Sequence, residues 1–225
     1  LDWAGLDKTW LSVSDGFTSF DDNTVGDSGP ISRSIGSGPL ETINWALPLQ
    51  RLVLGGQGGE HSCRSNAFDE PLTPTNFNIK PASSQGSAAV QALRIDSKGV
   101  YVQRGGTRLM ELAFAPDVYD YQSIDLTMLI PSIGKPRIVR IGVQRQPDTR
   151  IHCVRSDGTV AALVYDRGEN VICWCEIETG GLVEDVVVLP GASGEDEDKV
   201  YYVINRTINA ATVRYLEKWA LESQC

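Results

Sequence analysis

The sequence predicts an all-β, β-propeller-like fold of about five antiparallel blades joined by short helices. Two observations carry that expectation. A strand, tight turn, strand segment recurs: Gly99 to Phe114, Ile151 to Tyr165, and Val200 to Thr207 running into Ala211 to Glu217, with a more glycine-rich relative from Arg51 to Cys63. The turn glycines Gly58, Gly106 and Gly158 are 48 and 52 residues apart, near the roughly 40–50 residues of one four-stranded blade. Residues 1–225 are read as a single domain, and a chain that begins at Leu1 is expected to be a fragment of a longer one.

Each element follows from local chemistry. Lys8 to Ser14 reads as a strand, Asp15 to Pro30 as a polar, acidic loop, and Pro30 to Ile35 as a second strand. Pro39 to Leu47 carries apolar residues at helical spacing and predicts a short helix leading into the Arg51 strand. Pro71 to Lys80 is a proline-rich connector turning extended, Ala82 to Ser87 is a loop, and Leu93 to Asp96 opens the next unit. Arg104-Gly105-Gly106-Thr107 is a glycine turn, and Ile124 to Pro131 is expected to form a short helical turn. Pro136 to Gln144 alternates like a half-buried strand, and Ser156-Asp157-Gly158-Thr159 signals a primed hairpin turn, since Asp and Gly tolerate positive φ. The last turn, Asn205 to Ala210, looks longer and looser. Trp10 to Ser14 and Ala211 to Trp219, both β-prone and at opposite ends, are expected to pair and close the ring.

Composition limits the function classes. With 41% hydrophobic and 22% charged residues the chain buries a substantial core. No apolar run approaches the ~20 residues that cross a bilayer as a helix. A net charge of −9 opposes a general phosphate-binding surface.

Candidate chemistry is sparse, and no catalytic, cofactor-binding or metal-ligating residue is assigned. Gly194-Glu195-Asp196-Glu197-Asp198 is either a site for a hard cation or a solvated hairpin loop, and it lacks the ligand spacing of a calcium loop. The five cysteines, Cys63, Cys153, Cys173, Cys175 and Cys225, include no Cys-x-x-Cys pair and point to a reducing compartment. Cys173 and Cys175 flank Trp174 and are expected on one strand face as small buried hydrophobes. His61 and His152 fall at similar strand positions in different units and are read as satisfied imidazoles rather than a catalytic pair. The carboxylate pairs Glu184-Asp185 and Asp117 with Asp120 depend on spatial separation that spacing does not provide. Ser14 to Phe20 is similar to the Asp-box turn of sialidase-type propellers, with the Asp-to-Gly spacing compressed and the aromatic displaced.

One ordered set of motifs resembles a large tail protein of tailed bacteriophages and prophages. It runs through Leu72 to Pro81, Gly86-Ser87-Ala88, Val100 to Gly106, Glu111-Leu112-Ala113, Tyr121, Asp125-Leu126-Thr127, Gln146-Pro147-Asp148, Cys153 to Thr159, Tyr165 to Val171, Val187 to Gly191 and Arg214 to Glu217. The resemblance covers roughly Gly38 to Glu217 and is weaker upstream. It implies a non-enzymatic structural component of a virion tail, similar to nozzle or tubular subunits, assembled in the bacterial host cytoplasm. Other tail subunits would be its partners, in a homo-oligomeric ring of the full-length protein. An acidic lumen there would let phage DNA pass without specific binding. A carbohydrate or host-surface recognition propeller at the tail tip is the alternative, and a glycan-cleaving tail enzyme a further one.

Overall fold

A computed structural model describes residues 7–36, 42–65 and 70–222, and every described element is a β-strand. Among the described residues, seventeen strands form five antiparallel sheets. The first joins β1 (Lys8–Leu11) to β2 (Ile31–Ser34). The second runs β3 (Ile43–Pro48), β4 (Leu52–Gly56), β5 (Glu60–Arg64) and β6 (Asn78–Ser83). The third holds β7 (Leu93–Ile95), β8 (Lys98–Val102), β9 (Leu109–Ala115) and β10 (Asp120–Asp125). The fourth is β11 (Ile138–Gln144), β12 (Arg150–Arg155), β13 (Val160–Asp166) and β14 (Val171–Ile177). The last is β15 (Leu182–Leu189), β16 (Lys199–Ile208) and β17 (Ala211–Lys218). In every sheet strands adjacent in sequence are adjacent in space, as short connections favour.

The recurring segment of the sequence is thereby located. Each copy is the hairpin between the second and third strands of its sheet: β4–β5, β8–β9, β12–β13 and β16–β17. Two turns differ in type from expectation. At Ser156-Asp157-Gly158, Arg155 and Thr159 close a three-residue loop, Gly158 N–H donating to Arg155 O at 3.0 Å and Arg155 N–H to Thr159 O at 2.9 Å. Only Gly158 is left-handed, at φ 81°, so this is a turn with a glycine bulge rather than a two-residue primed turn. The Asp157 carboxylate instead accepts from the Thr159 N–H and hydroxyl. The last turn is tight rather than loose: Ile208 pairs with Ala211, leaving Asn209 and Ala210 alone at φ 50° and 63°, a primed two-residue loop.

Both expected helices are absent. Residues 39–41 lie outside the described residues, and Ile43–Pro48 is strand, because Ile43, Trp45 and Leu47 are buried at alternate positions, the strand period, although Leu40, Ile43 and Leu47 mimic a helical one. Past the end of β10 the chain makes successive turns. Asp125 accepts from the N–H and hydroxyl of Thr127, and Ile130 N–H and Ile133 N–H each reach back three residues. The expected pairing of the chain ends is also replaced. Trp10 and Leu11 pair with Ser32 and Ile31 in the β1–β2 ribbon, and the partner of β17 is β16.

The chain divides into two compact units, residues 1–104 with 111–124, and residues 105–110 with 125–225. In unit 1, β3 packs against β7, and Ile31, Ile43, Leu54, Cys63 and Phe77 form an apolar core. In unit 2, β11 packs against β15, and Val154, Val160, Val183, Val186, Val200, Tyr202 and Ile204 form the core. In each unit, then, the first strand of one sheet lies against the first strand of the next.

Candidate functional site

The two faces of β5 separate apolar from polar chemistry. Leu54 with His61, and Leu52 with Cys63, share one face, the face of the apolar core of unit 1. The opposite face carries Glu60, Ser62 and Arg64 at alternate positions. In register with them lie Gly55 and Val53 on β4, and Ser83, Lys80 and Asn78 on β6.

The inner end of this polar row is buried. Trp45, Gly55, Glu60 and Ser83 align across β3 to β6, and the Trp45 indole lies directly over Gly55. Glu60 is fully buried and accepts from the Ser87 hydroxyl at 2.7 Å. Tyr101 packs its ring 5.4 Å from that of Trp45 and shares a hydrogen bond with Ser123 at 2.8 Å. Burial raises the Glu60 pKa above the usual carboxylate value, partly opposed by the Ser87 hydrogen bond. Glu60 Oε2 and Trp45 Nε1 have no partner in the structure.

The outer end opens into a cleft of about 520 Å³ in unit 1. Arg51, Arg64, Lys80, Glu70, Asn78 and Tyr119 are among the residues that line it. Asp120 is the electrostatic hinge: it lies 3.8 Å from Arg51 and 3.6 Å from Arg64. Its two oxygens take hydrogen bonds from the Tyr121 N–H, at 2.9 Å, and the Ser62 hydroxyl, at 3.0 Å. Arg51 is fixed in place, donating to the Tyr119 carbonyl at 2.8 Å and lying 5.4 Å from the Phe114 ring centroid. Tyr119 itself sits at φ 54°, a conformation that costs a Cβ-bearing residue. Burial in the apolar core pushes the Cys63 thiol up to about 12, so this sulfur is not a nucleophile at neutral pH. The cations of the cleft suit an anionic group.

Unit 2 holds a different polar cluster. His152 is fully buried; its Nδ1 faces the Tyr202 hydroxyl at 2.7 Å and its Nε2 faces Gln144 Oε1 at 3.2 Å, while Gln144 donates onward to Gln146 O at 2.8 Å. With the hydroxyl donating to Nδ1, Nε2–H donates to Gln144 and both ring nitrogens are satisfied by a neutral ring. Burial, reinforced by Arg150, lowers the His152 pKa to about 4. A small cavity of about 120 Å³ nearby is lined by Gln144, Arg150, Asp198 and Trp219.

The remaining candidates separate as follows. His61 is on the third strand of its sheet and His152 on the second, so their positions are not equivalent. Asp198 is buried and its carboxylate accepts from the N–H groups of Arg145, Gln146 and Gly191. Glu195 pairs with Lys199, and no group of three or more His, Cys, Asp or Glu suited to a metal occurs among the described residues. Acids of the run therefore latch the β15–β16 loop. Glu184 pairs with Arg214 at 2.6 Å. Cys173 and Cys175 share a strand face as expected but are exposed, because β14 is the edge of its sheet; Cys225 lies outside the described residues. The sequence named Asp120 only as half of a carboxylate pair with Asp117 that spacing could not judge, and missed Arg51, Arg64 and Lys80 as a set. The available signal was the alternation Glu60, Ser62, Arg64 in a strand already recognised.

No protein-family model matches this chain, and no curated protein matches it significantly.

Proposed function

We propose that this chain is a structural component of a bacteriophage tail, contributing a propeller-like body to a symmetric tail assembly. One observation supports the reading most: three consecutive four-stranded antiparallel meanders, followed by a three-stranded one, each with its middle hairpin at the recurring turn. Radial repetition of such sheets is how a propeller limits its exposed edges. The contacts of β3 with β7 and of β11 with β15 fit sheets stacked by their first strands around an axis. The ordered motifs that resemble phage tail proteins add the biological context, with other tail subunits as partners, and the role requires no catalysis. Exposed apolar side chains on the edge strands β15 and β17, Leu182, Val187, Val213 and Leu216 among them, suit burial against neighbouring subunits.

Mass measurement of the full-length protein in solution followed by negative-stain imaging tests the assembly. Rings or tubes of defined subunit number are expected; a strictly monomeric protein at every concentration would overturn the role. A second reading, recognition of a host-surface carbohydrate at the tail tip, is favoured by the cationic cleft of unit 1.

A further inference from the structure

We propose that the unit 1 cleft binds a carboxylated saccharide, its acid group held by Arg64 and Lys80 and its ring set against Tyr119. The inference rests on the recognition reading above and is independent of ring assembly.

Charge comes first. The chain as a whole carries −9, yet this cleft gathers Arg51, Arg64 and Lys80 around the carboxylates of Asp120 and Glu70, a local excess of one positive charge. That excess matches a monoanion. A phosphate dianion would meet Glu70 with too little compensation. Arg64 stands beyond hydrogen-bond distance of Asp120, at 3.6 Å, so its N–H groups are not spent on that carboxylate. Arg64 and Lys80 project from the same sheet face at diagonal register positions, roughly 7–8 Å apart at the backbone, with Asn78 directly opposite Arg64. A carboxylate reaching that face meets two cations.

Shape and strain supply the second argument. The volume, about 520 Å³, falls within the roughly 300–1,000 Å³ of small-ligand sites. At its edge Tyr119 exposes 64% of its surface. The left-handed backbone there is one that glycine or asparagine would occupy at lower cost. Arg51 holds that turn through the Tyr119 carbonyl, and Phe114 packs edge-on to the Tyr119 ring at 6.4 Å. A bulky aromatic kept in a strained turn, braced from behind and exposed in front, provides a flat apolar surface for the C–H face of a sugar. Glu70, Gln50 and Asn78 supply polar groups for hydroxyls.

The test is calorimetric and NMR titration of the intact chain with glucuronate, glucose and glucose 6-phosphate, repeated on Arg64→Gln and Tyr119→Gly. Glucuronate is expected to bind more tightly than the other two, with affinity falling as salt rises. Arg64→Gln should weaken it about tenfold, the loss of a hydrogen bond to a charged group. Tyr119→Gly relieves the backbone strain, so its melting temperature should hold or rise while glucuronate affinity falls; a merely structural tyrosine would not separate the two. Equal binding of glucose overturns the acidic-sugar assignment and leaves carbohydrate recognition standing. Tighter binding of glucose 6-phosphate overturns it in favour of a phosphate ligand. No binding of any probe at tens of millimolar overturns both the assignment and the recognition reading. Undiminished binding by both variants overturns the cleft as the site.

Discussion

Units 1 and 2 embed polar groups in similar antiparallel frameworks, and they do so to opposite effect. In unit 2 the chain Tyr202, His152, Gln144 and Gln146 carbonyl closes on itself, so a neutral imidazole is satisfied at both nitrogens. In unit 1 the row from Trp45 through Glu60 leaves an indole N–H and a carboxyl oxygen without partners, then continues along β5 to the open cleft at Arg64. A closed buried network stabilises. An open one carries a cost, because a buried polar atom without a partner loses its hydration uncompensated. The lesson is that the polar face of β5 is where unit 1 departs from what stability alone would select.

The largest way to sharpen this contrast is pH. Below about pH 6.5 the unfolded chain protonates His152, whereas the folded chain refuses the proton until about pH 4. Stability is therefore fully present above the unfolded value and falls by about 3 kcal/mol as pH drops through that window. Urea unfolding at a series of pH values should show the loss, and His152→Gln should flatten it while lowering stability at neutral pH. The contrast breaks if the acid limb is unchanged in the variant.

Next in size is Gly55→Ala. A Cβ there would stand 2.0 Å from Trp45 Cε2, so the indole must move. A cost of about 2–3 kcal/mol is expected, accompanied by a shift in tryptophan emission. An unchanged unfolding midpoint would show that the aligned row does not constrain Trp45.

Smaller and opposite in sign is Glu60→Gln. The folded pKa of Glu60 is raised, so its contribution is present in acid and lost as pH rises through that folded value. The amide retains an acceptor for Ser87 and removes the buried charge, and should gain about 1 kcal/mol at pH 8. The gain should vanish in acid; a gain independent of pH would mean that ionisation is not its cause.

The smallest expected effect is in unit 2. Ala210 occupies a left-handed position at φ 63° in the Asn209-Ala210 turn, and Ala210→Gly should stabilise by about 0.5–1 kcal/mol, read from the thermal midpoint. Loss of stability instead would show that the turn is not the strained element of unit 2.

Legibility tracked the range of the interaction involved. The hairpins at Gly58, Gly106 and Gly158 were readable because alternation and turn chemistry are contained within a dozen residues. Pro39 to Leu47 misled for the same reason: Leu40, Ile43 and Leu47 satisfy helical spacing while Ile43, Trp45 and Leu47 satisfy strand spacing, and only packing of the alternate residues decides. The looseness expected before Ala211 failed because Asn209 and Ala210 suffice for a primed turn once β16 and β17 pair to their ends. The cleft was not legible, since Arg51, Arg64, Lys80 and Asp120 come from four places in the chain.

By itself the sequence determined the class of structure: antiparallel β, with repeated middle hairpins, a buried apolar alternation and an acidic balance. These are local or summed properties, set by φ preference, side-chain period and charge count. The tertiary structure decided which polar residues meet. Register placed Glu60, Ser62 and Arg64 on one face, the β9–β10 turn brought Asp120 and Tyr119 to them, and β12, β11 and β16 closed the imidazole of His152 with Gln144 and Tyr202. The physical reason is that pairing register and sheet stacking depend on surfaces contributed by distant segments, and a shift of one residue in a strand would turn every one of these side chains to the opposite face.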